Sequence, residues 1–415
     1  MYIPRLQTRR LRELFRSFPV VVVTGARQVG KSTLVRKVFP KASYVLFDPA
    51  VDVENARRDP DLFLDHHPTP LILDEIQYAP EVVSALKRRI DRDKKPSQYV
   101  LTGCQQWGVL KTMTESLAGR SVFLDLEGFC LTEAAKSKKP TAWLVAFLED
   151  PDAFLKSSHR RLTPGHSLYE QLWRGWLPKA QSLPLAAIPD FQEAYLRTYV
   201  ERDVRLLADV SDLHTFGRFV RLVSALSAQE INHSQLGREL GMTPQTAKRW
   251  LDVLKATFQW FEVPAYHGNA IKRVSAKPKG YLADTGMACM AQAISSPKAL
   301  GTHPLLGALF ETAVVSEIRK QLAILSPRAN LHHWRAFSGA EVDLLMERDG
   351  VFYPIEVKAT THPGRSDAKG IQAFRQAYPR LKVGPGLLIS PVEKMFHVTE
   401  HDVAVPWDLA GGSAA

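Results

Sequence analysis

Val20-Val21-Val22-Val23-Thr24-Gly25-Ala26-Arg27-Gln28-Val29-Gly30-Lys31-Ser32-Thr33 decides the fold of this chain. The valine run reads as a buried strand, and the stretch after Thr33 as a helix running to about Val38. Between them, Gly25 to Ser32 fill the pattern G-x-x-x-x-G-K-[ST] in the order strand, loop, helix. Each fixed position has a chemical task. Gly25 and Gly30 let the backbone turn so that its N–H groups face phosphate oxygens. Lys31 brings a point charge to the terminal phosphates, and Ser32 offers a hydroxyl to magnesium. The helix adds its positive end at Thr33.

Working outward, Ser43 to Asp48 reads as a second strand. Pro70-Leu71-Ile72-Leu73-Asp74-Glu75 then places an apolar strand ending in two acids about forty residues after the loop. That spacing suits Asp74 as a magnesium ligand through water and Glu75 as the group that polarises the attacking water. After a helix over 80–92, Gln98-Tyr99-Val100-Leu101-Thr102-Gly103 predicts a third core strand beside the acid strand. Thr102, with Gln105 second, is the polar group that can touch the γ-phosphate or position the water; a plain strand cap is the other reading. Arg120, before the strand Ser121 to Leu126, either reaches a γ-phosphate, in cis or across subunits, or is a surface salt-bridge partner. Alternating strands and helices imply a parallel sheet covered on both faces, with ligand at the carboxyl edge of the strands. Residues 1–17 read as a basic amphipathic helix with Arg5 on its solvated side.

The bulk numbers agree. A chain of 415 residues has room for two or three domains, and 45% hydrophobic with 23% charged residues is ordinary for a globular protein. No apolar run is long enough to span a membrane, and Cys104, Cys130 and Cys289 are far apart with no metal-ligand spacing. A reduced, cytoplasmic setting is the expectation. The net charge of +11 suits a polyanionic partner such as DNA.

Residues 136–229 are helical in pattern and carry Trp143, Phe147, Trp173, Trp176 and Tyr195, which predicts a helical lid. Within it, Tyr199-Val200-Glu201-Arg202-Asp203 reads as an interdomain salt-bridge network. Residues 230–284 read as a winged helix-turn-helix. Ser234 caps the first helix, Gly241 makes the turn, Thr243 caps the second and Pro244 opens it. Leu236, Leu240, Ala247, Leu251 and Leu254 form its core. Gln245, Lys248 and Arg249 are then free for phosphate or base contacts. The strand from Phe258 to Tyr266 and the basic stretch from Lys272 to Lys279 suggest the wing. Eight Lys/Arg face four Asp/Glu between residues 230 and 282, which is compatible with DNA, although winged helices also bind protein.

In residues 285–409, Glu311 opens a helix from Phe310 to Leu322. Asp343 precedes Leu344-Leu345-Met346, and Tyr353-Pro354-Ile355-Glu356-Val357-Lys358 follows beyond an Asp349-Gly350 hairpin turn. Alternation puts Glu356 and Lys358 on one strand face with Asp343 beside them. Two carboxylates and the Val357 carbonyl can bind magnesium, Glu311 completes the acid set, Lys358 can orient water or stabilise phosphorane charge, and Gln372 can support the site. A buried structural ion network is the alternative. This order resembles the PD-(D/E)xK, restriction-endonuclease-like fold. Residues 410–415 read as a disordered tail.

Taken with Leu73-Asp74-Glu75-Ile76-Gln77, Leu101-Thr102-Gly103, Ser116-Leu117-Ala118-Gly119-Arg120 and the link Lys277 to Gly286, residues 1–135 resemble the core of a family of prokaryotic AAA-type ATPases. The likeness runs through nearly the whole chain. It implies ATP at Gly30, Lys31, Ser32 and Thr33, and magnesium and water at Asp74 and Glu75. Cys104, where such proteins commonly carry serine, is a departure that weakens a sensor role at that position. The expected fold is thus α/β: a P-loop AAA-type parallel sheet, a helical lid, a winged-helix module and a C-terminal restriction-endonuclease-like α/β domain. Expected partners are ATP, DNA, a protein partner and further copies of the chain, with no membrane.

Overall fold

The computed structural model describes residues 2–48, 53–104, 117–163, 165–199, 204, 213–269, 271, 273 and 276–413. Gln105, Ser116, Val200 to Asp203 and Lys272 therefore lie outside the described residues.

The valine run forms β1 (Val20–Thr24), every residue of it buried. It is an interior strand of a five-stranded parallel sheet ordered β2-β3-β4-β1-β5, with β2 at Ser43–Leu46, β3 at Leu71–Asp74, β4 at Tyr99–Gly103 and β5 at Ser121–Asp125. One strand, β4, separates the loop strand from the acid strand, and it lies beside β3 as expected. Valine, leucine and isoleucine fill both faces because α1 (Thr8–Ser17) and α2 (Lys31–Val38) cover one and the helix Glu81–Arg92 the other.

The N-terminal helix is shorter than its pattern predicts, and Arg5 precedes it. Its guanidinium is buried, not solvated: Nε is 2.9 Å from the Glu133 carboxylate and its terminal nitrogens donate to the Val29 and Glu127 carbonyls. Periodicity missed this because it places residues on a helix face, whereas Arg5 sits in a turn before the helix begins.

The middle of the chain packs its aromatics inward, with Trp143, Phe147, Trp173, Trp176 and Tyr195 all buried. The helix His233–Leu240 and the helix Pro244–Ala256 meet through a left-handed Gly241 at φ 67°. Thr243 caps the second helix and Pro244 opens it, as the sequence predicts. The first is capped by Asn232, which accepts from the Ser234 and Gln235 N–H groups, and not by Ser234. A three-stranded antiparallel sheet accompanies the pair, ordered β7-β9-β8, with β7 at Gln229–Glu230, β8 at Trp260–Val263 and β9 at Lys279–Leu282. This sheet does not project. Residues past β8 join the C-terminal sheet, where Tyr266 N–H donates to the His333 carbonyl and His333 N–H to the Pro264 carbonyl.

The C-terminal sheet orders β10-β11-β12-β14-β16-β15, with β15 at Phe396–His397 and β13 (Lys382–Val383) added to β12. Strands β10 (Asn330–Arg335), β11 (Glu341–Arg348) and β12 (Val351–Val357) are antiparallel, while β12, β14 (Gly386–Ser390) and β16 (Asp402–Pro406) are parallel. Asp349 and Gly350, both at positive φ, turn the β11–β12 hairpin. The helix bearing Glu311 starts earlier than predicted, at Leu306, and ends at Leu322. The last described residues differ from the expected tail: β17 (Leu409–Ser413) pairs with β6 (His159–Arg161).

Candidate functional site

The glycine loop bends through three positive-φ residues, Gly25 at 150°, Gln28 at 62° and Gly30 at 95°. A Cβ on Gly25 would lie 2.0 Å from the Leu126 carbonyl oxygen, so this position admits only glycine. Lys31 opens α2 and is buried, with its Nζ donating at 2.9 Å to the Gly25 and Ala26 carbonyls. The ammonium thus folds back across its own loop. Burial draws its pKa below the usual lysine value, opposed by the Glu75 and Asp74 carboxylates. Ser32 is half-buried and Thr33 exposed beside it.

Asp74 closes β3 fully buried, with no ion-pair partner among the described residues. Two hydroxyls hold it: Tyr44 donates to one oxygen at 2.5 Å and Thr102 to the other. Burial and the Asp74 hydrogen bond push the Tyr44 hydroxyl pKa up, keeping it a donor. Thr102 also accepts the Glu75 N–H at 3.1 Å. Glu75 sits in the left-handed region at φ 59°, which turns its carboxylate out of the strand line, where Gln77 donates to it. Gln77 reaches Cys104 Sγ at 3.3 Å as well. Thr102 is therefore committed to the two acids. Tyr44 escaped sequence reading because it stands in no motif; Gln77 ends the Leu73-Asp74-Glu75-Ile76-Gln77 stretch that carries the resemblance, but nothing in that stretch marks its contact with Glu75.

A buried carboxylate with no ion-pair partner among the described residues and the Ser32 hydroxyl at the start of α2 are the kind of oxygen donors that fit magnesium, and the Lys31 ammonium is suited to phosphate oxygens. Beside Gly30 and Thr33 opens a cavity of about 220 Å³ lined by Tyr2, Ile3, Phe129, Pro178 and Gln181. Arg5 forms part of its wall, and Tyr195 donates at 3.3 Å to the Arg27 carbonyl inside the loop. Helical-segment residues thus meet the phosphate loop directly.

Arg120 is elsewhere. It precedes β5 at the edge where β1 begins, since Ser121 pairs with Val20, whereas the loop leaves the far end at Thr24. Five strand residues span about 15 Å. Arg120 makes a two-pronged pair with Asp91 at 2.5 and 3.0 Å, so it cannot reach phosphates on its own loop. Gln245, Lys248 and Arg249 share the exposed side of the helix Pro244–Ala256.

The C-terminal acids do come together, but with two lysines among them. Asp343 and Glu356 face each other one position beyond the Leu344–Ile355 pair. Asp343 accepts the Val357 N–H at 2.9 Å. Lys358 Nζ lies 2.8 Å from Glu356 and 3.6 Å from Asp343. Lys279, expected on an exposed wing, is buried instead, with Nζ 2.6 Å from Glu311 and 3.3 Å from Asp343. Tyr281 donates to Glu311 at 2.8 Å. Burial, reinforced by the Asp343 charge, raises Glu311 to about 8 and Glu356 to about 9. Burial also pushes Asp343 up, but Lys279, Lys358 and the Val357 N–H outweigh it and leave Asp343 low. Among the described residues no His/Cys/Asp/Glu group is arranged to hold a metal, and this cluster, neutralised by two ammonium groups, does not fit one as it stands. Gln372 is exposed; the residue of its helix against Glu356 is Gly370. No helix of the described residues is long and apolar enough to cross a membrane.

Comparison with known proteins gives three matched stretches, and one of them runs across the boundary expected between lid and winged helix. Residues 17–135 match the family model described as an AAA domain. Residues 165–298 and 306–410 match two described as domains of unknown function (DUF8612 and DUF4143). Two uncharacterized proteins, from Mycobacterium tuberculosis and Mycobacterium bovis, are each 29% identical over 400 residues, 96% of this chain and 82% of theirs. Among solved structures, the Thermotoga maritima RuvB Holliday junction branch migration motor overlaps 66% of this chain and 95% of its own at 13% identity and a TM-score of 0.32. A signal transduction ATPase with numerous domains from Pyrococcus horikoshii overlaps 78% of this chain and 51% of its own at 14% identity and a TM-score of 0.27. These overlaps are too loose to carry activity across. The family model and the loop geometry agree on the N-terminal part: the chain carries an AAA-type P-loop domain.

Proposed function

We propose that this protein binds and hydrolyses magnesium-ATP and uses the cycle as a switch on DNA. The observation that carries the reading is Lys31 bonded back onto its own loop together with Asp74, a fully buried carboxylate with no ion-pair partner among the described residues. Bound magnesium would supply the positive charge that phosphoryl transfer needs. Ser32 and Asp74 would hold it. Lys31 would exchange its bonds to the Gly25 and Ala26 carbonyls for phosphate oxygens. Glu75 would accept the proton of the attacking water, Thr102 would fix both acids, and Arg120 would serve only across a subunit boundary. The apolar cavity beside Gly30 has the size and lining to take a base.

The helix-turn-helix and its small sheet are read as a winged helix whose Gln245, Lys248 and Arg249 meet DNA. The C-terminal domain is read as a restriction-endonuclease-like fold, silent while Lys279 fills its acid cluster. Metal-dependent cleavage is the second reading, favoured by the convergence of Asp343, Glu356 and Lys358.

The test is ATP turnover and plasmid integrity with magnesium, with and without duplex DNA. Wild type should hydrolyse faster with DNA and leave plasmid intact. A Lys248→Ala/Arg249→Ala double variant should keep basal turnover, lose the stimulation and show a DNA-binding salt slope lower by about 2. Turnover indifferent to DNA, with no binding at low salt, would remove DNA from the account and leave a protein partner.

A further inference from the structure

The hairpin of β10 and β11 turns through Ala336-Phe337-Ser338-Gly339-Ala340, with an aromatic ring where turns ordinarily carry glycine or a small polar residue. Ala336 N–H donates to the Ala340 carbonyl at 2.7 Å, and Gly339, at φ 90°, donates to the Ala336 carbonyl at 3.0 Å. The turn is therefore closed by backbone and needs nothing from the Phe337 side chain. That side chain is 112% exposed, whereas every other large apolar side chain among the described residues is at 82% or less. Single apolar residues on a surface need no explanation in themselves. This one is set apart by its mount. Trp334, three residues back, is buried edge-to-face against Phe374 at 5.4 Å and Tyr378 at 6.3 Å, and Arg335 pairs with Glu341 across the two strands.

Cations gather at the base of the hairpin. A Cβ on Gly370 would lie 1.8 Å from the Glu341 carbonyl oxygen, so the helix Lys369–Ala377 begins against β11. It brings exposed Lys369, preceded by exposed Arg365. Lys277, also exposed, reaches β10 through its carbonyl, 3.0 Å from the His333 ring nitrogen. None of these three has an ion-pair partner among the described residues. The acids beside them are engaged: Glu341 lies 3.9 Å from Arg335, and Asp367 accepts the Gly364 N–H. A polar groove of about 460 Å³ joins this surface to the helix-turn-helix module, with Lys277, Arg335 and Glu341 lining it together with Glu230, Asn232 and Gln235. The hairpin and the module proposed to meet DNA thus share one face of the molecule.

A rigid aromatic tip among cations suits a polyanion that also offers flat apolar faces. In an intact duplex those faces are stacked inside. They become available at an unpaired base, where a duplex opens into single strands. A protein surface apolar enough to cover the ring would leave Lys277, Arg365 and Lys369 without a role. We infer that Phe337 stacks on an unpaired base while Arg335 and Lys369 meet the flanking phosphates, so that the chain favours DNA at the junction of duplex and single strands. The inference rests on the reading that this protein meets DNA and names the form of DNA it takes.

The experiment is fluorescence anisotropy with the full chain, without nucleotide, on a blunt duplex and on the same duplex ending in unpaired arms, over a range of salt. Wild type should hold the forked form tighter by at least about fivefold, the low end for one base stacked on an aromatic ring. Phe337→Ala, which removes no buried surface, should bind blunt duplex as wild type does and lose the preference. Phe337→Trp should keep it. The salt slope on forked DNA should be the same for wild type and Phe337→Ala, and lower by about 1–2 for Arg335→Ala/Lys369→Ala. Equal binding of the two forms by wild type, or a preference that survives Phe337→Ala, overturns the inference and leaves the helix-turn-helix reading standing. A wild type that binds neither form overturns both. Sedimentation of the free proteins tests the other occupant: if Phe337→Ala breaks an assembly that wild type forms without DNA, the ring belongs between copies of the chain and the inference falls.

Discussion

At the scale of single residues, the nucleotide site depends on how one buried carboxylate is satisfied. Asp74 has hydroxyl donors in Tyr44 and Thr102, and Thr102 also ties down the Glu75 backbone. Thr102→Val keeps the shape and removes the hydroxyl. It leaves a buried carboxylate short of one donor and an N–H without its acceptor, a loss of about 1–3 kcal/mol. Denaturant unfolding should show that loss, with hydrolysis falling more than nucleotide binding because Glu75 loses its tether. Unchanged stability would mean that Thr102 is a plain strand residue. The glycine loop and the acid pair were legible in sequence because each position has a fixed chemical demand. Tyr44 was not, because its role comes from the parallel register that sets Leu46 against Asp74 and so brings β2 alongside β3.

At the scale of elements, the hairpin β11–β12 was also legible: the Asp349-Gly350 turn and strict alternation bring Asp343 and Glu356 together. What the sequence did not reveal is the lysine that meets them. Lys279 lies in a run of basic residues that reads as an exposed wing, and only the docking of the small sheet onto β10 turns it inward. Burial in this cluster has a consequence for pH. Glu356, facing Asp343 and Lys358, has its pKa raised from an ordinary carboxylate value to about 9. The folded state therefore holds a proton that the unfolded state releases. Its contribution to stability is complete below the unfolded pKa and lost as pH rises through the folded one, by about 1.4 kcal/mol per pH unit for one proton. Wild type should melt at progressively lower temperature as pH rises towards 9, and Glu356→Gln should flatten that slope. Equal slopes in the two proteins would contradict a raised Glu356 pKa.

For the whole molecule, four sheets and their helices, among the described residues, are joined at a few buried polar contacts. Glu317, on the helix that also carries Glu311, accepts the Leu131 N–H at 2.9 Å, and Lys320 donates to the Phe129 carbonyl at 3.0 Å. The C-terminal domain is thereby fixed to the segment that Arg5 holds beside the phosphate loop. Charge and motif spacing gave no sign of these joints. The joints rest on backbone carbonyls and buried side chains that no local pattern marks. Arg120 shows the same limit: its place before a strand is evident from sequence, but the edge of the sheet on which that strand begins is not. All of this rests on one claim, that the glycine loop and its acid pair turn over ATP. Phosphate release from magnesium-ATP by wild type, Lys31→Ala and Glu75→Gln tests it most directly, with nucleotide binding measured alongside. Wild type should hydrolyse; Lys31→Ala should neither bind nor hydrolyse; Glu75→Gln should bind as wild type does and turn over about 10²–10⁴-fold more slowly. Turnover unaltered in both variants, or a wild type that binds no nucleotide in the presence of magnesium, would contradict it.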